Sequence, residues 1–194
     1  NLEKYNEIPE RRPKYEELSK RKYEIPVEGA FVLEPKPGLY EKIAMFDFTS
    51  MHTSIIISMN ISKSTLLEKQ EKDSNTIETK NGKFSFTKKP GFIPLLLQEI
   101  FEVRKKAKAD YKKDPNIITK ARSNAFKILS ASVHGYIAFF GARYYSKEAS
   151  SSILGYVRKF NQDTIKNIEK AGYEVVYGDT DSIAFVMKDK SEAD

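Results

Sequence analysis

The sequence predicts an α+β fold with an antiparallel sheet, helices packed on it, and a separate antiparallel hairpin of two helices. Near the end of the chain, two β-rich runs flank Tyr177-Gly178-Asp179-Thr180-Asp181-Ser182, as in a β-hairpin with a tight turn. A third apolar run, at 43–48, carries a carboxylate near its end. Two helical patterns, at 94–113 and 115–133, follow each other across Asp114-Pro115, which is typical of an antiparallel helix pair.

The composition excludes several classes of protein. A chain of 194 residues with 40% hydrophobic residues can bury a core. It contains no cysteine, which excludes disulfides, zinc–thiolate clusters and thiol catalysis. The net charge of +6 and the pI near 9.2 favour a polyanionic partner. No apolar run is long enough to cross a bilayer and no signal peptide is visible, so we expect an intracellular protein without a membrane partner.

Residues 1–28 are polar and contain three prolines, so we expect a lead-in segment with a short helix near 16–22. Its lysines and arginines are expected to be mostly solvated, with contact to phosphate as the alternative. Residues 29–34 predict a short strand. The chain begins without Met and stops soon after the acidic hairpin, which indicates a fragment, a processed piece or one part of a split protein.

The run at 43–48 is apolar almost throughout and predicts a strand that is buried on both faces. Asp47 interrupts this run, and a buried carboxylate is costly unless it is paired or bound to metal. A helical pattern begins at Met51. A strand, a short turn and a helix start can offer backbone N–H groups to an anion.

The middle of the chain predicts a surface excursion and then helices. Asn81-Gly82 marks a small hairpin near 76–87. The helix pair that follows carries three cations that we assign to one basic face, Arg104, Lys108 and Lys127, with an ordinary solvated face as the alternative. The pattern at 146–170 predicts an amphipathic helix whose inward side chains are Ile153, Val157, Phe160, Ile165 and Ile168.

The acidic hairpin places Asp179 and Asp181 two residues apart at a turn. Such carboxylates repel each other, and a hard divalent cation such as Mg²⁺ would relieve the repulsion. The alternative is a solvated turn, because Asp and Gly are ordinary turn residues.

Three blocks in this order resemble family B DNA polymerases of the archaeal and eukaryotic replicative type. The first palm motif of that family reads D-x-x-S-L-Y-P-S-I-I, and its counterpart here runs from Asp47 to Ile56. The fingers motif K-x-x-x-N-S-x-Y-G corresponds to 127–135, and the second palm motif Y-G-D-T-D-S is matched at every position by 177–182. The resemblance covers nearly the whole chain from about residue 28.

The resemblance implies a template-directed DNA polymerase core that transfers nucleotides from dNTPs to a primer 3′-hydroxyl. It implies two Mg²⁺ ions, with Mn²⁺ as a substitute, held by Asp47, Asp181 and the backbone carbonyl of Phe48, with Asp179 as an auxiliary carboxylate. Arg104, Lys108 and Lys127 would bind the triphosphate, together with backbone N–H groups of Met51 and His52. Contacts to primer–template DNA are expected at Arg143, Tyr144 and Thr180.

The chain departs from the family pattern in the nucleotide pocket. Leu-Tyr-Pro becomes Met51-His52-Thr53, and His52 replaces the tyrosine that excludes a 2′-hydroxyl in the family. In the fingers motif, Ala131 stands in place of the Asn, and His134 stands in place of the Tyr that precedes Gly135. The two histidines of the chain therefore stand at pocket positions that are Tyr in the family. We expect weaker rejection of ribonucleotides and, since histidine titrates near pH 6.5, nucleotide affinity that changes around neutrality.

The resemblance also divides the chain into a lead-in at 1–28, palm at 29–92 and 135–194, and fingers at 93–134. The proofreading domain and the thumb of the family have no counterpart here, so we expect a separate chain or segment to supply the thumb, and a sliding clamp is a further candidate partner. Two other readings remain. One is a catalytically weakened paralogue that acts as a DNA-binding or scaffold subunit. The other is an unrelated nucleotide-binding α/β domain, which predicts a Gly-rich phosphate loop that the sequence lacks.

Overall fold

The structure, a computed structural model, describes residues 2–5 and 7–187. Within these ranges it is a mixed fold of five α-helices and two three-stranded antiparallel sheets, which confirms the predicted α+β class. The helices are α1 (Tyr15–Lys22), α2 (Met51–Ser58), α3 (Phe92–Lys113), α4 (Ile117–Ala138) and α5 (Lys147–Lys170). The strands are β1 (Ile43–Asp47), β2 (Leu66–Leu67), β3 (Asn75–Thr79), β4 (Gly82–Phe86), β5 (Glu174–Asp179) and β6 (Ser182–Val186). None of the described helices is both long and apolar enough for a membrane span.

The chain forms two compact units. The helical unit comprises residues 1–27 and 52–153, and the sheet unit comprises residues 28–51 and 154–194. The sheet unit therefore draws on two stretches of the chain that are far apart in sequence.

The sheet unit is built on three antiparallel strands in the order β1-β6-β5. In this register Asp47 is opposite Ser182, and Ser182 is opposite Asp179 on its other side. A core of Ile165, Val175 and Ile183 lies under the sheet. The partly buried side chains packed against that core are Phe31, Leu33, Phe48, Ile168 and Phe185. The 43–48 run, predicted as a strand, forms β1, which pairs with the second strand of the acidic hairpin and ends at Asp47.

The prediction that this run is buried on both faces is wrong. The side chains of Ile43, Met45 and Phe46 are 45%, 64% and 58% exposed. The physical reason is the position of β1, which is an edge strand paired on one side only. Phe46 stacks on Phe185 of the neighbouring strand, with ring centroids 5.5 Å apart. Asp47 is exposed as well, so burial imposes no cost on its carboxylate.

The predicted strand at 29–34 is reduced to a single bridge between Val32 and Asp179. Two hydrogen bonds make this bridge, from the N–H of Leu33 to the carbonyl of Gly178 (2.7 Å) and from the N–H of Thr180 to the carbonyl of Phe31 (3.0 Å). Arg158 of α5 donates to the carbonyls of residues 28 and 29, and this holds the start of the segment. The segment therefore covers the outer edge of β5 without joining the sheet as a strand.

In the helical unit, α3 and α4 pack along each other and confirm the predicted helix pair. Asn116 caps α4, because its side-chain oxygen accepts from the N–H groups of Ile118 and Thr119 (both 3.0 Å). The helix continues to Ala138, beyond the predicted end near residue 133. The buried side chains on these two helices are Ile93, Pro94, Leu97, Ala107, Ser130 and Ile137. The predicted short helix of the lead-in segment is present as α1, which is anchored by Arg21 through the carbonyls of residues 140 and 142.

Asn60 joins three stretches of the helical unit just after α2. It has a left-handed backbone, with φ of 53°, and its side chain is buried. The amide nitrogen donates to the carbonyls of Thr87 and Lys89 (both 2.6 Å), and the amide oxygen accepts from the N–H of Gly91 (2.9 Å). Gly91 has no room for a side chain, since a Cβ there would clash with Cγ2 of Thr65. A single amide therefore fixes the approach to α3.

Helix α5 has the predicted amphipathic character, but one of its predicted inward residues is wrong. Phe160 is exposed and stacks on Tyr156, with ring centroids 6.1 Å apart. The next residue, Asn161, is completely buried. Val157, Asn161 and Ile165 follow at intervals of four residues and therefore share one helical face. The side chain of Phe160 lies about 100° away from that of Asn161 around the helix.

Candidate functional site

The acidic hairpin turns at Thr180 and Asp181, between β5 and β6. Thr180 has a positive φ of 53°, which a β-branched residue rarely adopts and which costs on the order of 1 kcal/mol. Three hydrogen bonds hold the turn in place. The N–H of Thr180 donates to Phe31, its carbonyl accepts from Asn161 (3.1 Å), and the carbonyl of Asp181 accepts from the N–H of Phe48 (2.8 Å). The backbone of the turn is therefore fixed from three sides.

Asn161 and Gly178 support this turn from below. Asn161 is fully buried, and its amide nitrogen donates a hydrogen bond to the carbonyl of Thr180 in the turn. A Cβ at Gly178 would lie 3.2 Å from Cδ1 of Ile165 and 3.4 Å from Cβ of Leu33, so any larger residue here would crowd these two side chains. Asn161 is not among the site residues predicted from the sequence. Its signal in the sequence is a polar residue inside an apolar helical stripe.

Asp47, Ser182 and Asp179 form a row across the three strands. Residues directly opposite each other in antiparallel strands point to the same face of the sheet. The hydroxyl of Ser182 donates to the Asp47 carboxylate over 3.2 Å, which shows this alignment. The structure thus brings Asp47 beside the acidic hairpin, although 135 residues separate it from Ser182.

The two hairpin carboxylates have different surroundings. Asp179 accepts from the hydroxyl of Thr180 (2.9 Å) and, over 3.4 Å, from that of Tyr177. For the carboxylate of Asp181, no hydrogen bond or ion pair is present within residues 2–5 and 7–187. Asp181 is partly exposed, so its oxygens are open to a ligand.

These residues suit a hard divalent cation by their chemistry. Carboxylates and a backbone carbonyl are the oxygen donors that Mg²⁺ prefers. Asp47 and Asp181 lie without a neutralising cation in the described part of the chain. In the same part of the chain, no three carboxylate or histidine side chains are gathered closely enough to form a complete metal cluster. The predicted roles of Asp47, Asp179, Asp181 and the carbonyl of Phe48 as ligands stay predictions.

The predicted triphosphate-binding residues lie on the paired helices of the helical unit. Arg104 and Lys108 are one helical turn apart on α3, and Lys127 lies on α4. Lys108 and Lys127 are exposed and Arg104 is partly exposed, and their role in binding a triphosphate stays a prediction. The two backbone positions proposed for the same role, Met51 and His52, open α2.

The two histidines of the chain form a pair within the helical unit. The rings of His52 on α2 and His134 on α4 have centroids 4.8 Å apart and are tilted by 31°. Nε2 of His134 is buried without a hydrogen-bond partner among the described residues. Burial, with a smaller contribution from His52, lowers the pKa of His134 to about 4. The expected titration around neutrality is therefore wrong for His134, which stays neutral there because its charged form is poorly solvated.

This shifted pKa predicts a loss of stability in mild acid. Below about pH 6.5 the unfolded chain binds a proton at residue 134, whereas the folded chain does so only near pH 4. Stability therefore falls as the pH drops through this window and levels off below it. At pH 4.5 we expect a cost of about 2.5 kcal/mol from this residue alone. Urea unfolding of the wild type and of His134→Phe at pH 7.5 and 4.5 measures this cost, and equal losses in both proteins would contradict it.

The remaining predicted pocket and DNA-contacting residues differ in environment. Ala131 is exposed on α4, and the space where a Cβ of Gly135 would stand is open. Arg143 is partly buried in the loop before α5. The ring of Tyr144 packs against Phe92, with centroids 5.6 Å apart, which gives this tyrosine a structural contact. Their contacts with a nascent base pair or with DNA stay predictions.

Comparison with known proteins identifies one family. The profile of DNA polymerase family B matches residues 8–193. The DNA polymerase of Thermococcus gorgonarius is 37% identical over 181 residues, which are 91% of this chain and 23% of that protein. DNA polymerase 1 of Pyrococcus abyssi is 35% identical over 182 residues, which are 92% of this chain and 23% of that protein. The solved family B DNA polymerase of Pyrobaculum calidifontis superimposes with a TM-score of 0.71 and 29% identity, over 98% of this chain and 25% of that one. The chain thus spans about a quarter of the length of these relatives.

Proposed function

Because the chain belongs to DNA polymerase family B, we propose that it forms the nucleotidyl-transfer core of a template-directed DNA polymerase. One observation supports this most strongly. Strand pairing brings Asp47, from the first motif, beside the hairpin that carries Asp179 and Asp181. The two motifs are distant in sequence, and a solvated turn would not require a second carboxylate on the neighbouring strand.

In the proposed reaction, the primer 3′-hydroxyl oxygen attacks the α-phosphorus of a dNTP, and pyrophosphate leaves. Asp47, Asp181 and the carbonyl of Phe48 would hold two Mg²⁺ ions, with Asp179 as an auxiliary carboxylate and Mn²⁺ as a substitute metal. When bound, the metal pair stabilises the attacking and the leaving oxygens of an in-line displacement. The protein contributes a turn whose backbone is held by Phe31, Phe48 and Asn161, so the carboxylates need little rearrangement.

The cations of the helical unit would bind the triphosphate. Arg104 can make paired hydrogen bonds to phosphate oxygens, whereas Lys108 and Lys127 act as point charges. We assign residues 93–134 to the fingers and residues 29–92 and 135–194 to the palm. Primer–template DNA, a thumb supplied by another segment or chain, and a sliding clamp are the proposed partners.

A catalytically weakened paralogue with a scaffold role is the second candidate. The changed residues at His52, Ala131 and His134 are the observation that favours it. The retained carboxylates weigh against it, because acidic residues that cluster without metal repel each other.

A chimera tests the proposed function. In it, this chain replaces the matching segment of the Thermococcus gorgonarius DNA polymerase, so that the parts of that protein outside the match are retained. We expect Mg²⁺-dependent primer extension with dNTPs. A chimera that folds and binds primer–template DNA but extends no primer would favour the scaffold role.

The same chimera tests the proposed role of His52 at the sugar. Imidazole is smaller than a phenol ring, so a 2′-hydroxyl should be tolerated better than with Tyr at this position. We expect His52→Tyr to raise the preference for dNTPs over ribonucleotides by roughly tenfold, which corresponds to about 1.4 kcal/mol. The measurement is kcat/KM for each nucleotide class in both proteins. An unchanged ratio would show that His52 does not select the sugar.

A further inference from the structure

A cavity of about 240 Å³ opens between α3 and α4, inside the helical unit. Its lining combines apolar, aromatic and charged side chains: Val103, Lys106, Ala107, Asp110, Arg122 and Phe126. Val103 is 46% exposed and lies at the solvent-accessible edge of the cavity, whereas Ala107 is 3% exposed and lies at its buried end.

This cavity lies on a different face of the helices from the cations assigned to the triphosphate. Each residue of an α-helix turns by about 100°. On α3 the lining residues form one stripe, and Arg104 and Lys108 lie about 110° and 150° away from its centre. On α4 a similar separation places Lys127 away from the stripe of Arg122 and Phe126. The cavity is therefore not part of the proposed catalytic pocket.

The charged lining residues have no internal partner. Within the described residues, the side chains of Lys106, Asp110 and Arg122 form no hydrogen bond or ion pair. Phe126 stacks on no other aromatic ring in the described part of the chain, and it is partly exposed. Two available cations, one carboxylate and one available ring thus border the same space.

We propose that this cavity binds one nucleotide unit, a base with its phosphate, from a single-stranded nucleic acid. A base has an aromatic face for Phe126 and apolar contact with Val103 and Ala107, and base–aromatic stacking is a common source of affinity for single strands. The phosphate suits Lys106 and Arg122. A base in a duplex is stacked between its neighbours and cannot enter, so the site selects unpaired nucleotides.

Asp110 adds a preference among bases. An ionised carboxylate only accepts hydrogen bonds, so it suits an exocyclic amino group. Cytosine has such a group at N4, and a carboxylate is a known acceptor for it, whereas thymine has a carbonyl oxygen at the same position. The cavity therefore favours cytosine over thymine.

The test is fluorescence anisotropy of labelled 12-nucleotide (dC) and (dT) strands with the 194-residue chain at fixed salt and pH 7.5. We expect Phe126→Leu, Lys106→Gln and Arg122→Gln each to weaken binding of the (dC) strand by roughly five- to tenfold. Two matched controls carry the same charge change on neighbouring residues outside the cavity, Lys105→Gln for Lys106→Gln and Lys120→Gln for Arg122→Gln. These controls should weaken binding by less than twofold. Thermal unfolding of each variant shows that it is folded.

The ratio of the two affinities tests Asp110 without interference from net charge. The wild type should bind the (dC) strand several-fold more tightly than the (dT) strand, and Asp110→Ala should make the two affinities equal. Competition with dCMP distinguishes a free nucleotide from a nucleotide within a single strand as the ligand. Displacement by dCMP at micromolar concentration identifies free nucleotides as the ligand, and a requirement for a strand identifies single-stranded nucleic acid. Equal losses in the lining variants and their controls would overturn the proposal and leave only non-specific attraction to a basic surface.

Discussion

Asp181→Asn in the chimera is expected to lower the rate of primer extension by roughly a thousandfold, about 4 kcal/mol of transition-state stabilisation. The amide keeps the shape of the side chain and removes its negative charge, so a divalent cation is held far less well. The Asp181 carboxylate has no hydrogen-bond or ion-pair partner among the described residues, so we expect the fold to be unaffected. Single-turnover extension at saturating dNTP measures the effect on the chemical step.

Glu174→Gln is the matched control for this variant. Residue 174 is exposed on β5 of the same hairpin, and the change is again from carboxylate to amide. We expect less than a twofold change in rate. If both variants lose activity equally, the charge of the hairpin as a whole matters more than a metal-binding role of Asp181. If Asp181→Asn retains full activity, the proposed ligand assignment is wrong.

Asn60→Ala is expected to lower the free energy of unfolding of the chain by about 3 to 4 kcal/mol. The substitution removes the partner of three backbone groups, at residues 87, 89 and 91; the hydrogen bond to residue 91 is buried and the other two are partly buried. Each unsatisfied group costs roughly 1 kcal/mol or more. Alanine also disfavours the left-handed backbone at this position, which adds about 1 kcal/mol. Urea denaturation at pH 7.5 measures the loss.

Two further variants separate these contributions. Asn60→Gly removes the hydrogen bonds but accepts the positive φ, so it should be less destabilising than Asn60→Ala by about 1 kcal/mol. Asn75→Ala removes an amide whose nitrogen donates to the carbonyl of Met59 in the same unit (2.9 Å) and whose oxygen accepts an exposed hydrogen bond from Lys88 (3.0 Å). It should cost about 1 kcal/mol. If Asn60→Ala lowers the free energy of unfolding by no more than Asn75→Ala does, the connection to α3 does not depend on the amide of Asn60.

The parts of the fold that the sequence predicts well are those with a local signal. The acidic hairpin follows from β-rich runs around Gly and Asp, and the helix pair follows from two long patterns separated by Asp114-Pro115. The position of Asp47 beside the hairpin had no local signal. It followed from the family resemblance, and the pairing of β1 with β6 confirms it.

The wrong predictions concern burial and pKa, which depend on tertiary contacts. An apolar run does not reveal whether its strand lies at the edge or the centre of a sheet, and β1 lies at the edge. Hydrophobicity predicts burial of Phe160, whereas the buried residue is Asn161, whose amide donates to a carbonyl of the turn. The lowered pKa of His134 depends on its burial and on its neighbour from another helix, which spacing along the chain does not show.

The pairing of β1 with β6 also has a consequence for synthesis on the ribosome. The hydrogen bond between Asp47 and Ser182 joins residues 135 positions apart, so β1 leaves the ribosome long before its partner exists. At translation rates of roughly 5 to 20 residues per second, this interval lasts about 7 to 27 s. During that time the exposed Met45 and Phe46 belong to an unpaired β-strand, which is prone to aggregate. Residues 52–153, which make up most of the helical unit, are synthesised in this interval, so most of that unit can form before β6 is available.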